Sequence, residues 1–231
     1  MKRLTAKEIK KILIGVVLSD GHVDMNGFRF DFYSKHEEYA QYIYNVVSQI
    51  TGMHVTFKVK HDKRGYTGYR VFTRKHAYWK NLGEKFYNGR KELNSYIVRR
   101  LDAEALAHIW MCDGYLEHAK NRVTNSVQNI GWFCLEAFPE NELKLFQTHL
   151  VSFFGIETTL VKKPAGFGYR IRVGGENLQK FVSLVYPFIL NKFLYKTELF
   201  YKKIESANTN LSNAEQYLKL YSSTEDIVRH S

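Results

Sequence analysis

The chain carries one short pattern twice, once in each half. Two apolar segments, LIGVVLSDG (13–21) and LAHIWMCDG (106–114), both end in Asp-Gly. Their apolar spacing predicts a buried helix with an aspartate at its C-terminal end. A negative charge there is unfavourable by about 0.3–1 kcal/mol, because the helix dipole has its negative pole at this end. One such aspartate is often only the start of a turn, but two at equivalent places indicate a cation that neutralises them.

The order of the other elements supports a duplication. Each half predicts a helix, two strands, a helix, two strands and a helix. The segment GYRV at 68–71 is echoed by GYRI at 168–171. Antiparallel strands with one apolar face bury it under helices and leave the polar face open to a partner. We predict an α+β fold with one repeat at 1–98, a second at 99–200, and a C-terminal helix and tail at 201–231.

Local signals mark where several helices begin. Thr5 with Glu8, and Ser34 with Glu37, have the spacing of capping boxes, in which each pair satisfies two free backbone N–H groups. Asp102 is expected to cap the helix that contains the second Asp-Gly segment.

The charge of the chain narrows the class of partner. It has 34 Lys and Arg against 23 Asp and Glu, a net charge of +11, together with 16 Tyr and 16 Phe. The basic excess lies in residues 1–100. Such a chain is typical of nucleic-acid-binding proteins, because phosphate neutralisation supplies most of their affinity. A basic enzyme with no such partner fits the charge equally well.

Other features exclude broad classes. No apolar run approaches the roughly 20 residues of a membrane span, and the N-terminus lacks the pattern of a secretion signal. Two cysteines, Cys112 and Cys134, are too few for a disulfide framework or a four-cysteine metal site. These observations favour an intracellular protein, cytoplasmic or organellar, with no membrane partner.

The paired aspartates suggest a reaction. If the two repeats meet across a pseudo-twofold axis, Asp20 and Asp113 meet with them and could hold divalent metals. Oxygen ligands and water suit Mg²⁺. Metal ions beside a phosphodiester stabilise both the attacking and the leaving oxygen.

Both segments resemble the LAGLIDADG motif of the homing endonucleases named after it, and the resemblance covers about residues 6–200. It implies a single chain of two pseudo-symmetric αββαββα repeats with the motif helices packed at the centre. Two curved four-stranded antiparallel sheets then form a saddle for double-stranded DNA. It further implies a monomer that cuts both strands of a long, nonpalindromic site and leaves 3′ overhangs. The matching residues are Leu13, Gly15, Asp20 and Gly21, and Leu106, Ala107, Asp113 and Gly114.

The same resemblance implies the composition of the site. Asp20 and Asp113 are its catalytic acids and metal ligands, and the backbone carbonyls of Ser19 and Cys112 are further ligands. Mg²⁺ is the expected cofactor. Mn²⁺ is expected to replace it, and Ca²⁺ to bind without supporting cleavage.

The family also places a lysine near the end of each repeat. Lys196, in a Tyr-Lys pair, matches in the second repeat. Lys91 is the candidate in the first, with Arg90 as the alternative. A lysine there could stabilise phosphate charge or polarise the attacking water, whereas the alternative for both lysines is an ordinary surface position.

The second motif departs from the family pattern. Close helix packing favours small residues, which Gly15 and Ser19 supply in the first motif, but the second has His108 and Cys112. We therefore expect an asymmetric helix interface. A packed, hydrogen-bonded His108 is expected over a metal ligand, and Cys112 is expected to pack as well.

Strand alternation predicts the residues that face DNA. A pair of strands fits the major groove, where arginine binds guanine and acids accept from cytosine. The alternative is a solvated basic surface, in which Arg70 pairs with an acid such as Asp31. The predicted contacts are Arg29, Asp31, Tyr33, Lys58, Lys60, Arg70, Arg74, Trp132, Glu136, Lys163, Arg170 and Arg172 on strands, and Lys63, Arg64 and Lys162 in turns.

The two intact aspartates favour a site-specific DNA endonuclease. An RNA-binding intron maturase and a non-cleaving DNA-binding protein on the same scaffold are the alternatives. The target sequence and the gene context, whether intron, intein or free-standing, cannot be read from the chain.

Overall fold

The computed structural model describes residues 3–61, 63–120, 127–163 and 168–198. The helix and tail predicted at 201–231 lie outside these ranges. None of the helices within them is long and apolar enough to cross a membrane.

The first repeat begins with a long helix and ends with a short ribbon and a helical turn. The order of its elements is α1 (Ala6–Leu18), β1 (His22–Asp24), β2 (Arg29–Ser34), α2 (Glu37–Val47), β3 (Val55–His61), β4 (Thr67–Thr73), α3 (Ala77–Phe86), β5 (Tyr87–Asn88), β6 (Arg90–Lys91) and α4 (Ser95–Val98).

The second repeat has the same plan and ends in two 3-10 segments, Tyr186–Phe188 and Asn191–Thr197. Its other elements are α5 (Ala103–Asp113), β7 (Gly114–Lys120), β8 (Val127–Phe133), α6 (Glu140–Phe154), β9 (Thr159–Lys162), β10 (Tyr169–Gly174) and α7 (Gly175–Val185).

The two main sheets have identical topology. The first has the order β1-β2-β4-β3 and the second β7-β8-β10-β9, with every neighbouring pair antiparallel. The predicted α+β fold of two similar repeats is therefore confirmed. The division of the chain between residues 98 and 99 stays a prediction.

Each sheet buries one face beneath helices, as the alternation predicts. Phe30, Phe32 and Val71 are buried in the first sheet, and Phe133 and Ile171 in the second. The side chains between them in sequence are less buried. The polar faces are thus left on the side away from the core.

The helices α1 and α5 pack against each other, and Gly15 marks their closest approach. A β-carbon on Gly15 would lie 2.3 Å from the carbonyl oxygen of Ala105 and 2.9 Å from the β-carbon of His108. Only a glycine leaves room for the facing backbone at this point. The expected central packing of the motif helices is confirmed.

Two of the three helix caps predicted from the sequence are formed. The capping box of Thr5 and Glu8 is present, and the side chain of Asp102 caps α5. The capping box predicted at Ser34 is wrong. Ser34 is the last residue of β2, where it is the ladder partner of Tyr69, and α2 starts after His36 without a side-chain cap.

Candidate active site and DNA interface

The two motif aspartates stand at the ends of the packed helices. Asp113 is the last residue of α5, and Asp20 follows two residues after the end of α1. Asp20 is exposed, whereas Asp113 is partly buried. The backbone carbonyl of Asp113 accepts a hydrogen bond from the Cys134 N–H at 2.8 Å, which fixes the end of α5 to the segment after β8.

The two carboxylates influence each other. Burial raises the pKa of Asp113 to about 7, and the negative charge of Asp20 adds to this rise. The charges of Lys91 and Lys196 act in the opposite direction. Two repelling acids at the ends of two helices form a site that a divalent cation would stabilise.

Each motif helix has a buried or half-buried lysine at its C-terminal end. The Lys91 Nζ donates to the carbonyl oxygens of Ser19 at 3.1 Å and Gly21 at 3.0 Å. The Lys196 Nζ donates to the Met111 carbonyl at 2.6 Å, with longer contacts to the two carbonyls on either side of it. A cation is favourable at this end of a helix dipole.

Burial lowers the pKa of Lys91 and of Lys196, while the nearby aspartates oppose the shift. Each lysine also occupies a carbonyl that was predicted to bind metal. The Ser19 carbonyl accepts from Lys91, and the Cys112 carbonyl accepts from Lys196 at 3.4 Å. The metal-binding role of these two carbonyls stays a prediction.

Lys91 and Arg90 contact different groups, and the catalytic role of either one stays a prediction. The Arg90 guanidinium donates to the carboxylate of Glu142 on α6, whereas the Lys91 ammonium donates to carbonyls at the end of the first motif. Lys91 is therefore the basic group that the first repeat places at the motif.

A buried polar cluster joins α2 to α5. The His108 Nδ1 and the Tyr39 hydroxyl lie 3.0 Å apart, and the His108 ring stacks with the rings of Tyr39 and Tyr42. Burial lowers the pKa of His108 to about 3. The packed, hydrogen-bonded alternative for His108 is thus the one that the structure shows.

Cys112 belongs to the same cluster. Its Sγ lies 3.6 Å from the Tyr39 hydroxyl, and burial raises the pKa of the thiol to about 12. The thiol therefore stays protonated and packs, as expected. Sequence reasoning missed Tyr39, because its apolar helical position carries no sign of a partner 69 positions away.

The carboxylate donors suit a hard divalent cation better than a soft metal. Among the described residues, no three His, Cys, Asp or Glu side chains converge on one point. Mg²⁺ commonly keeps several waters and binds through one or two carboxylates and the phosphates of a substrate. The repelling pair of Asp20 and Asp113 matches that requirement.

The polar face of the first sheet presents an arginine that is already paired. The Arg70 Nε donates to both carboxylate oxygens of Asp31, at 2.8 and 3.1 Å, and the guanidinium lies over the Phe72 ring. Tyr33 and Lys58 are the ladder partners of Arg70 on the two neighbouring strands. The Arg70–Asp31 pair considered from the sequence is therefore formed, and a DNA contact by the guanidinium held in this way stays a prediction.

The second sheet has an equivalent arrangement built from other residues. The Arg170 Nε donates to Glu136, and its Nη1 donates to the Tyr115 hydroxyl at 3.2 Å. The Trp132 Nε1 donates to Glu117 at 2.6 Å. Tyr115 and Glu117 were missed, because the sequence predicted two strands after the second motif helix without locating the first of them, β7, at Gly114–Lys120.

Glu136 does not lie on a strand as predicted. The strand β8 ends at Phe133, and Glu136 reaches Arg170 from the segment that follows. Lys163 also lies beyond its strand, and its Nζ is 3.4 Å from the Glu136 carboxylate. Lys162, predicted in a turn, is the last residue of β9.

The remaining predicted contacts are mostly exposed. Arg29 begins β2 and pairs with Asp24 at 2.8 Å, whereas Arg172 is partly buried on β10. None of these positions is tested as a DNA contact, and each stays a prediction. The exposed positions are Arg29 and Tyr33 on β2, Lys58 and Lys60 on β3, Lys63 and Arg64 in the following turn, Arg74 just after β4, and Lys162 at the end of β9.

Comparison with known proteins identifies the family. A model of the LAGLIDADG DNA endonuclease family matches residues 10–181. The chain belongs to the LAGLIDADG DNA endonuclease family. The resemblance inferred from the two motifs is confirmed.

This LAGLIDADG chain is 24% identical over 208 residues to DNA endonuclease I-ChuI of Chlamydomonas applanata. The alignment covers 81% of this chain and 93% of I-ChuI. Its fold is similar to that of the homing endonuclease I-WcaI bound to its DNA recognition sequence, with a TM-score of 0.69 at 20% identity over 85% of this chain and 88% of that one. I-DmoI in complex with DNA and Mn is a further match, with a TM-score of 0.50 at 12% identity over 80% and 98%.

Proposed function

We propose that this site-specific DNA endonuclease cuts both strands of one long, nonpalindromic target by metal-dependent hydrolysis and leaves 3′ overhangs. The observation that carries the proposal is the placement of Asp20 and Asp113 at the ends of two packed helices, each helix with a lysine at its end. I-WcaI was solved with its DNA site, and I-DmoI with DNA and Mn. Their shared fold supports the same substrate here.

The two acids and the two lysines have different tasks. Asp20 and Asp113 hold the metal, with the carbonyls of Ser19 and Cys112 as further ligands. The metal, when bound, stabilises negative charge on the phosphate oxygens. Lys91 and Lys196 stabilise phosphate charge or polarise the attacking water, and their fixed positions reduce the reorganisation needed during the reaction.

The metal that fits is Mg²⁺, since the site offers oxygen ligands, and Mg²⁺ commonly keeps several waters and binds the phosphates of a substrate. We expect Mn²⁺ to replace it, because it also accepts oxygen ligands. Ca²⁺ takes more ligands at longer distances, and we expect it to support binding without cleavage.

DNA recognition is assigned to the polar faces of the two sheets. Arg70 and Arg170 lie at equivalent strand positions, surrounded by different partners in the two repeats. Because the two sheets present different side chains, we expect the two halves of the DNA target to differ in sequence. Because both repeats are on one chain, a monomer covers the whole target.

A selection experiment tests the proposal. The purified protein is incubated with a plasmid library of randomised inserts in Mg²⁺, Mn²⁺, Ca²⁺ or EDTA, and the broken ends are sequenced. We expect double-strand breaks with 3′ overhangs at one long consensus in Mg²⁺ and Mn²⁺ alone. DNA binding without breaks in any metal would instead establish a non-cleaving protein. Retention of intron RNA in preference to duplex DNA would establish a maturase.

A further inference from the structure

Lys91 lies on a small ribbon that is held by the other repeat. The strands β5 and β6 pair only through Tyr87 with Lys91 and Asn88 with Arg90. An isolated ribbon of this size has little stability of its own. What fixes the Lys91 backbone must therefore come from outside the ribbon.

Glu142 on α6 supplies three hydrogen bonds to the residues that flank Lys91. Its carboxylate accepts from the Arg90 Nη2 and, at 3.3 Å, from the Arg90 Nη1. It also accepts from the Leu93 backbone N–H at 2.8 Å. Glu142, a residue of the second repeat, thus binds the first repeat on both sides of Lys91.

The burial of Glu142 shows that these bonds are its stable arrangement. The residue is only 9% exposed, and a buried carboxylate is costly unless it is paired and hydrogen-bonded. Its partners Arg90 and Leu93 meet that requirement. Because Arg90 also donates to the Lys91 carbonyl at 2.8 Å, the contact extends to the lysine's own backbone.

Lys196 is held in a different way. Its backbone carbonyl accepts from the Trp110 Nε1 at 3.2 Å, and Trp110 lies on α5 of the same repeat. Within the part of the chain that the structure describes, the Glu142 carboxylate bonds to Arg90 and Leu93 and not to Lys196. Lys196 is therefore an internal reference for any effect that passes through Glu142.

We propose that Glu142 is a positioning residue for Lys91. It acts across the two repeats by fixing Arg90 and Leu93, and so keeps the Lys91 ammonium at the end of α1. The consequence for cleavage rests on the role proposed above for Lys91, whereas the positioning itself does not.

The first experiment measures positioning without DNA or metal. Limited reductive methylation followed by mass spectrometry gives the reactivity of each lysine in the wild type, Glu142→Gln and the control Glu140→Gln. Glu140 is on the same helix and pairs with Lys144. We expect Lys91 to become roughly threefold or more reactive in Glu142→Gln, because local opening frees it, with Lys196 unchanged. Unchanged Lys91 reactivity would overturn the proposal.

The second experiment measures the effect on the reaction. On a target recovered by the selection above, Glu142→Gln should lower the single-turnover rate by about 10- to 100-fold, since small displacements of a catalytic group have effects of that size. DNA affinity in Ca²⁺ should not change. In a Lys91→Met background Glu142→Gln should have no further effect, whereas in a Lys196→Met background the full loss should remain.

Two outcomes separate this inference from the proposed function. If Lys91→Met cleaves at the wild-type rate, the catalytic role of Lys91 is wrong, and methylation alone decides whether Glu142 positions it. If the loss in Glu142→Gln persists fully in Lys91→Met, Glu142 acts by another route and the proposal is wrong. If Glu142→Gln does not fold, Arg90→Gln is the second variant. It removes both hydrogen bonds between Arg90 and Glu142 at an exposed position and leaves the bond from Leu93. A smaller rise in Lys91 reactivity is expected, and unchanged reactivity would again contradict the proposal.

Discussion

Arg70 and Arg170 occupy the same position in the two sheets, and each guanidinium is held by a carboxylate of its own repeat. The pairs differ in one respect. Asp31 lies on the strand beside Arg70, whereas Glu136 reaches Arg170 from beyond the end of β8. The two sheets therefore present an oriented arginine at matched places, with different surroundings.

The first prediction concerns these arginines. If Arg70 contacts a guanine edge, Arg70→Ala should cost about 1–3 kcal/mol of binding and relax preference at one base position. If it contacts phosphate, affinity should fall evenly and the salt slope should shrink by about one. Binding assays and a selection profile of Arg70→Ala and Arg170→Ala distinguish the two. Arg100→Ala is the control, since Arg100 stacks on Tyr96 away from either sheet. No change in affinity, profile or salt slope in both variants would contradict the proposed DNA face.

The second prediction concerns the metal ligands. Asp20→Asn and Asp113→Asn should each abolish double-strand cleavage, because the amide cannot replace the charge that holds the cation, and should largely spare DNA binding. Plasmid cleavage and a gel-shift assay in Ca²⁺ measure the two effects. Asp102→Asn is the matched control, since asparagine caps a helix as well as aspartate. Near wild-type cutting of both strands by either variant would show that the active site is assigned wrongly.

The third prediction concerns pH. The metal-free fold raises the pKa of Asp113 from 3.8 to about 7. The stability gained from the protonated acid is therefore complete below about pH 4 and is lost as the pH rises through about 7. Mg²⁺ binds the ionised form. The increase in melting temperature on adding Mg²⁺ should accordingly be larger at pH 8 than at pH 6.

The control for this prediction is Asp113→Asn. Glu104 must be separated from Asp113, because burial raises its pKa to about 7 as well. In Asp113→Asn the difference between the Mg²⁺ effects at the two pH values should disappear, while the titration of Glu104 remains. An equal Mg²⁺ effect at both pH values in the wild type would be evidence against a metal at Asp113.

The fourth prediction concerns the helix interface. Gly15→Ala should lower the free energy of unfolding by about 1–3 kcal/mol, because the new methyl group overlaps the Ala105 carbonyl and the backbones must separate. Urea unfolding measures the change. Gly83→Ala on α3 is the control, since its new methyl group meets two side chains, the flexible end of Met25 and, at 3.1 Å, Val23, instead of facing backbone, and alanine favours the helix. Equal stability of the two variants would show that the α1–α5 contact is looser than described.

The fifth prediction concerns binding in solution. Many phosphate contacts should reduce DNA affinity by roughly 10³-fold or more between 50 and 200 mM salt. Sedimentation should show a monomer with and without the target, because the chain already contains both repeats. A flat salt response would contradict the basic DNA face, and an obligate dimer would contradict the single-chain arrangement.

The sequence predicted what local patterns encode. The two motif helices, the repeat and the alternation around Arg70 follow from spacing alone, and the structure reproduces them. The position of the strand β1 was not located, because three residues, His22–Asp24, are too few to show alternation. The cap at Ser34 was predicted wrongly because a residue can satisfy a capping pattern and still belong to the preceding strand.

The contacts that complete the site were beyond the sequence for another reason. Tyr39 meets His108 across 69 positions, and Arg90 meets Glu142 across 52. No periodicity links such residues, because the contact exists only after the two repeats have packed. Likewise, that Lys91 contacts the first motif while Arg90 pairs with Glu142 is visible only in the folded chain.

The contact between Gly15 on α1 and His108 on α5 limits which repeats can be combined in one chain. Gly15 and His108 are the same position of the two motifs, and they face each other. Two copies of the first half would set glycine against glycine and lose the stacking of His108 on Tyr39 and Tyr42. Two copies of the second half would place a histidine where only a glycine leaves room for the facing backbone. The contact surfaces of α1 and α5 are therefore complementary to each other, and neither helix can replace the other. A chimaeric enzyme with new half-site specificity has to keep α1 and α5 together as a matched pair and change only the sheets.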